Sequence, residues 1–406
     1  MSDSSGRMPL IDAFKAVASQ LIVFHHFAAY GPLSVAARQL APATVDWLYD
    51  YARMAVQVFL VIAGFLAVRG LSPGGQALAG SPLPLIGKRY LRLVIPFLAA
   101  IALAILCAAL ARPWLNDEMI PAPPTVGQLL AHALLLQSLL DFDSLSAGLW
   151  YVAIDFQLFA LLAILLWLGR YTGGAPILVL TLATAALFWF NRDESLDNWA
   201  LYFFGSYGLG AAAWWASDCK RPAAWLVIIA CVTIAALALD FRLRIALALA
   251  VALLLGFSRR SGLLEKWPQS TALAFLGRIS FSVFLVHFPI YLVANALFVH
   301  FGLTTQGAAL LTIFAAWTAS IAVATLFHRW IEGPAASRRI AGAFGRLLGK
   351  VPGWDNAYLA TGGGTKGMLI GAGMGESVAR LIAQLPPAIS IFEILNIPDL
   401  WNFYII

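Results

Sequence analysis

The sequence predicts an all-α integral membrane protein, a bundle of about ten transmembrane helices with both termini in the cytoplasm. Hydrophobic residues make up 61% of the 406 positions and charged residues 11%, whereas soluble domains carry about 25% charged residues. Apolar stretches long enough to cross a bilayer recur along the chain as far as position 329. Basic residues gather in alternate loops, which the positive-inside rule assigns to the cytoplasm.

The first apolar stretch continues to Tyr30 without a small-residue cleavage site, which predicts a retained first span. Nine further spans are predicted at about 47–68, 93–111, 148–168, 175–191, 199–216, 222–240, 243–258, 272–298 and 307–329. The long outer loop, about 112–147, contains an apolar run at 129–140 that is too short for a span. That run predicts a helix lying at the membrane interface.

Composition also excludes two kinds of partner. The formal net charge is +6, but the basic residues lie at the ends of spans instead of forming a patch, so nucleic acid is not an expected partner. The three cysteines lack metal-type spacing, and no metal site is predicted.

Two polar residues in the first span are costly in a membrane and are therefore functional candidates. Lys15 and His26 are separated by ten residues, which on a helix places them within roughly 20° of one face and about 16 Å apart along the axis. His25 points about 80° away from that face, so His26 is the stronger candidate. The alternative is a lysine extending to the helix end and a histidine that hydrogen-bonds to a neighbouring span.

Two further clusters precede or begin later spans. Arg89 and Arg92, three residues apart before the third span, would lie side by side on a helix and suit a phosphate group. The alternative for this pair is ordinary positive-inside anchoring. Asp155, near the outer start of the fourth span, predicts either a capping acid or a carboxylate that orients an imidazole.

The ninth predicted span repeats the order of a basic residue and then a histidine. Arg278 lies near its cytoplasmic end and His287 near the middle of the membrane. Pro289 predicts an interruption of this helix, where freed carbonyl groups need partners. Glu332, which ends the last span, fits either a site residue or a surface acid.

Six motifs follow one another in a fixed order: Lys15 with His26; the segment 58–66, with Ala63 at a serine position; Arg89 with Arg92; Trp150 with Asp155; Ser280-Phe281-Ser282 with His287 and Pro289; and Glu332 with Pro334. This order resembles the membrane-bound acyltransferase 3 family, integral-membrane O-acyltransferases that modify bacterial surface glycans and some small molecules. The resemblance covers about residues 8–338. Asp155 is shorter than the glutamate at that position of the family.

The resemblance implies a function and a set of roles. The donor is expected to be acyl-CoA used from the cytoplasm, in the first instance acetyl-CoA, and the acceptor a hydroxyl of an envelope glycan or lipid-linked sugar at the bacterial inner membrane. His26 would be the general base, with Asp155 and His287 beside it. Four basic residues are expected to bind the donor, namely Lys15, Arg89, Arg92 and Arg278.

Two other functions remain open from the sequence. A secondary transporter or flippase for a polar or glycolipid substrate would line its pathway with Lys15, His26 and His287. A non-catalytic relative that only binds a partner is left open by Ala63, Asp155 and Phe281.

After Lys350 the long apolar stretches give way to a glycine-rich sequence. We therefore predict an acyltransferase domain at 1–340 and a cytoplasmic tail at 341–406. The tail contains Gly371-Ala372-Gly373-Met374-Gly375-Glu376, in which Glu376 takes the place of the third glycine of a dinucleotide fingerprint. It resembles the C-terminal segment of FAD-dependent oxidases of the D-amino-acid oxidase type. About 55 residues cannot bury the core of that fold, so we expect a non-functional remnant and no bound FAD.

Overall fold

The computed structural model describes residues 7–219 and 222–333, together with the backbone of two short strands. Within these residues the α-helices are α1 (Pro9–Ala29), α2 (Gly31–Leu40), α3 (Pro42–Tyr51), α4 (Val56–Leu71), α5 (Leu83–Ala111), α6 (Val126–Ala133), α7 (Trp150–Leu168), α8 (Ala175–Phe188), α9 (Ala200–Asp218), α10 (Pro222–Leu239), α11 (Leu243–Ser261), α12 (Leu263–Lys266), α13 (Thr271–His300) and α14 (Gln306–Phe327).

The described residues divide into two units, the first ending at Leu326. The second begins with a π-helical turn, His328–Glu332, in which His328 Nδ1 lies 3.2 Å from Glu332 Oε2. It also contains β1 (Leu348–Lys350), which pairs antiparallel with β2 (Tyr358–Ala360). The remainder of the predicted oxidase-like tail lies outside the described residues.

The chain is an all-α membrane protein, as the sequence predicts. Seven helical segments of the described chain are long and apolar enough to cross a membrane. The other three predicted spans are also helices, namely α1, α9 and α11, each 19–21 residues long. The count of ten spans and the cytoplasmic position of both termini stay predictions.

Loops that the sequence places on one side of the membrane meet at one end of the bundle. The Leu78 N–H donates to the Leu166 carbonyl at 3.1 Å, and the Trp215 indole N–H donates to the Ser72 carbonyl at 2.8 Å. At the opposite end the rings of Trp114 and His300 stack 4.6 Å apart. The helices therefore alternate in direction through the bundle.

Two glycines let α4 and α9 approach each other closely. A Cβ on Gly64 would lie 1.8 Å from the Tyr207 carbonyl oxygen, and one on Gly210 would lie 1.9 Å from the Val61 carbonyl oxygen. Small residues give membrane helices this backbone-to-backbone packing, which supplies dispersion contacts where lipid offers no hydrophobic driving force.

Three elements differ from the sequence-based expectation. Helix α5 begins at Leu83, ten residues before the predicted start of the third span, so Arg89 and Arg92 belong to the spanning helix itself. Helix α13 continues through Pro289, and the predicted interruption is wrong because a single proline removes only one backbone hydrogen bond. The apolar run at 129–140 forms helix only up to Ala133, beginning at a capping box of Thr125 and Gln128.

Candidate active site

The site is built where α1 and α13 lie side by side. Gly277 makes their contact possible, since a Cβ there would lie 2.2 Å from the Asp12 carbonyl oxygen. Further along, the Tyr291 hydroxyl donates to the Phe27 carbonyl at 2.8 Å. The two helices that each carry a basic residue followed by a histidine are therefore neighbours over much of their length.

His26 and His287 meet at this helix pair. His26 Nδ1 lies 2.7 Å from His287 Nε2, and the side chains are 8% and 0% exposed. His287 Nδ1 lies 2.8 Å from the Val283 carbonyl oxygen. A carbonyl oxygen only accepts, so His287 Nδ1 carries a hydrogen, and Nε2 of the neutral ring accepts one.

This chain of hydrogen bonds assigns the tautomer of His26. Its Nδ1–H donates to His287, so in the neutral ring Nε2 has a free lone pair. Among the described residues, the His26 side chain hydrogen-bonds only through Nδ1. In this arrangement His26 Nε2 is able to accept a hydrogen, and the hydrogen bond to His287 fixes the orientation of the His26 ring.

The loop before α7 covers the His26 ring. Gly148 has a φ of +84°, which favours glycine, and a Cβ at this position would lie 3.6 Å from His26 Cε1 and 3.2 Å from the Phe284 ring. On other sides the rings of Tyr30 and Phe288 each lie 5.9 Å from that of His26. The backbone at Gly148 thus approaches the imidazole without a side chain between them.

Asp155 lies away from the histidine pair. Its Oδ2 accepts from Arg89 Nη2 at 2.6 Å, and the two side chains are 4% and 11% exposed. Arg89 also lies over the Phe159 ring, 5.3 Å from its centre. Asp155 is eleven residues, about 16 Å, along α7 from Leu166 at the end of the bundle. Asp155 also lies five residues, about 7 Å, from the start of α7 at Trp150. The structure does not bring it into hydrogen-bond contact with His26.

The other predicted donor-binding residues have different environments. Lys15 is 3% exposed on α1, Arg92 is partly exposed on α5, and Arg278 is exposed on α13. Arg278 follows Gly277, which contacts Asp12 at the N-terminal end of α1. Lys15 and Arg278 thus belong to the same end of the helix pair.

The geometry can be compared with known proteins. A family model described as an acyltransferase domain, that of the acyltransferase 3 family, matches residues 9–329. The chain belongs to this family. Separate comparisons with curated proteins and with solved structures each found no match.

The protein is thus an acyltransferase and a multi-pass membrane protein, as the resemblance implied. Family membership favours this function over the transporter. The matched region includes both histidines and the Arg89–Asp155 pair.

Sequence reasoning missed some buried polar residues of this acyltransferase. The Ser206 hydroxyl donates to Gln57 Oε1 at 2.6 Å between α9 and α4. Tyr151 lies one helical turn before Asp155 and is 5% exposed. A glutamine inside an apolar span is a signal that could have been found, whereas aromatic residues are common near membrane interfaces and do not draw attention.

Proposed function

We propose that the protein transfers an acyl group, in the first instance acetyl, from acyl-CoA to a hydroxyl of an envelope glycan or lipid-linked sugar in the bacterial inner membrane. The observation that carries the proposal is the hydrogen-bond chain from Val283 through His287 to His26, because it leaves His26 Nε2 able to accept a proton.

In this mechanism His26 is the general base. As the acceptor oxygen attacks the thioester carbonyl carbon, His26 Nε2 takes the hydroxyl proton. The carbon–sulfur bond then breaks, and the imidazolium returns the proton to the leaving thiolate. The products are an ester and a free thiol, and no net proton is consumed. The imidazolium keeps its Nδ1–H bond to His287, which is stronger while the donor ring is charged.

The donor enters from the end of the bundle that carries Lys15 and Arg278. Arg278 is exposed and offers a guanidinium to the phosphates of CoA, together with Arg92 and Lys15. Lys15 and His26 lie about 16 Å apart along α1. The pantetheine arm follows this length and brings the thioester to His26. Arg89, which is also expected to bind the donor, is paired with Asp155 and meets the donor only together with that carboxylate.

The test measures CoA release from acetyl-CoA by purified protein in nanodiscs, for the wild type and for His26→Ala. We expect roughly a 10²- to 10⁴-fold loss in the variant, the usual contribution of a general base. His25→Ala is the matched control, because His25 bonds to the Leu48 carbonyl on the other side of α1. CoA release by His26→Ala at the wild-type rate would show that His26 is not the general base. If the wild type does not bind acetyl-CoA, then acetyl-CoA is not its donor.

A further inference from the structure

The cluster formed by Arg89, Asp155 and Tyr151 is a buried polar site within the membrane that is separate from the histidine pair. Asp155 and Tyr151 lie four residues apart on one face of α7, and Arg89 reaches them from α5. Arg89 interacts electrostatically with both. All three side chains are nine-tenths buried or close to it.

Each member of this cluster has one polar atom without a partner. Arg89 Nε, Asp155 Oδ1 and Tyr151 Oη are closed to solvent and make no hydrogen bond to any residue that the structure describes. Folded proteins leave few buried polar atoms unpaired. Three such atoms in one contact cluster offer one donor, one acceptor and one hydroxyl that is both.

The charges of the cluster select the chemistry of a ligand. The guanidinium and the carboxylate cancel each other, so an anionic phosphate would meet Asp155 at close range with no excess positive charge. A neutral group that carries one N–H and one C=O satisfies the free atoms without adding a charge. An amide is that group.

The position of the cluster fits the donor of the proposed reaction. Gly148 contacts His26, and Tyr151 and Asp155 follow it by three and seven residues, or about 4 and 10 Å along α7. The pantetheine arm of CoA carries two amides, at roughly 4 and 9 Å from the thioester sulfur if its bonds are as long as those of a peptide.

We propose that Asp155, Arg89 and Tyr151 bind the amide of the pantetheine arm that lies nearer to the thioester. This inference rests on the proposed function, since it takes acyl-CoA as the donor. Asp155 Oδ1 accepts the amide N–H, and Tyr151 Oη with Arg89 Nε donates to the amide carbonyl.

The first experiment compares two short donors, the acetyl thioester of N-acetylcysteamine and its isostere in which the amide N–H is replaced by oxygen. Thiol release by the wild type is expected to favour the amide by about 3- to 10-fold, the usual effect of one hydrogen bond. Asp155→Asn is expected to bring this ratio towards one. Tyr151→Phe is expected to slow both donors while keeping the ratio.

Tyr90→Phe is the matched control, because the Tyr90 hydroxyl on α5 already donates to the Ala133 carbonyl at 2.6 Å. Equal use of both donors by the wild type, or an undiminished amide preference in Asp155→Asn, would overturn the proposal and leave the cluster as a structural lock between α5 and α7.

A binding measurement separates this inference from the proposed function. S-Methylpantetheine has both amides but neither a phosphate nor an acyl group, and its binding is measured in nanodiscs by calorimetry. Binding that weakens about 3- to 10-fold in Tyr151→Phe and not in Tyr90→Phe supports the amide site even if the wild type releases no thiol from any donor. No binding to the wild type, or equal binding by Tyr151→Phe, contradicts it.

Discussion

His26 is oriented by a second imidazole, His287, through a nitrogen–nitrogen contact of 2.7 Å. The direction of this hydrogen bond is set by the Val283 carbonyl, which holds the far side of the His287 ring. A neutral imidazole accepts from His26 without bringing a negative charge into the membrane, where an unpaired carboxylate would be costly. The acid of the fourth span is thereby left to pair with Arg89.

His287→Ala is expected to lower kcat by roughly 100-fold with little change in KM for the donor, because it removes the acceptor that fixes the tautomer of His26. His287→Gln is the rescue variant, since its amide oxygen can accept from His26 Nδ1. Steady-state kinetics on the two variants measures the effect. An unchanged kcat in His287→Ala, or an equal loss in His287→Gln, would show that His287 does not act by accepting this hydrogen bond.

The Arg89–Asp155 pair makes a prediction about stability. Arg89→Leu leaves a buried carboxylate without its partner and is expected to cost about 3–5 kcal/mol. The double variant Arg89→Leu with Asp155→Leu removes both charges and is expected to regain most of that loss. Thermal unfolding in detergent compares the variants with Lys88→Leu, a change at a partly exposed basic residue on the same helix. A double variant as unstable as the single one would mean that the two charges are not coupled.

The sequence singles out the members of the candidate site but does not predict their contacts. Lys15, His26 and His287 stand out because each is polar within an apolar stretch, a signal that needs no structure. The pairing of His26 with His287 is not predictable in this way, because the two residues are 261 positions apart. A sequence pattern reports only neighbours along the chain.

Asp155 is a second residue whose contact the sequence pattern does not predict. Its place near the start of a predicted span indicates a position at the membrane edge, where it would cap the helix or orient an imidazole. The structure instead pairs it with Arg89, which belongs to a spanning helix because α5 begins ten residues earlier than the apolar pattern indicates. The start of α5 contains charged residues, so a pattern based on hydrophobicity does not include this part of the helix in the span. The all-α membrane fold and the family were still predictable from the whole chain.

Gly64→Ala is expected to disrupt the packing of α4 against α9. The new methyl group would lie 1.8 Å from the Tyr207 backbone oxygen, and backbone cannot move aside as a side chain does. We expect a loss of stability of more than about 2 kcal/mol from this overpacking. Gly87→Ala on α5 is the control, because a Cβ there meets nothing within 4 Å and alanine favours a helix by about 1 kcal/mol. Equal melting temperatures for the two variants would contradict the close approach.

His132 gives the outer loop a dependence on pH. Its Nδ1–H donates to the Gln128 carbonyl at 2.8 Å, and its Nε2 accepts from the Leu145 N–H at 3.3 Å. Burial lowers the pKa of His132 from its ordinary value of 6.5, and the hydrogen bond to Gln128 raises it by less. A lowered pKa means that the neutral ring stabilises the fold fully above pH 6.5 and that this contribution is lost as the pH falls through the lowered pKa.

We therefore expect the backbone around Leu145 to lose protection on acidification, because protonation of His132 turns Nε2 into a donor facing another donor. Hydrogen exchange measured at pH 7.5 and 5.0, corrected for the intrinsic effect of pH on exchange, tests this. His132→Gln, which does not titrate, is the control and should show the same protection at both values. Wild-type protection that does not change with pH, or a change that His132→Gln shares, would mean that another group controls the loop.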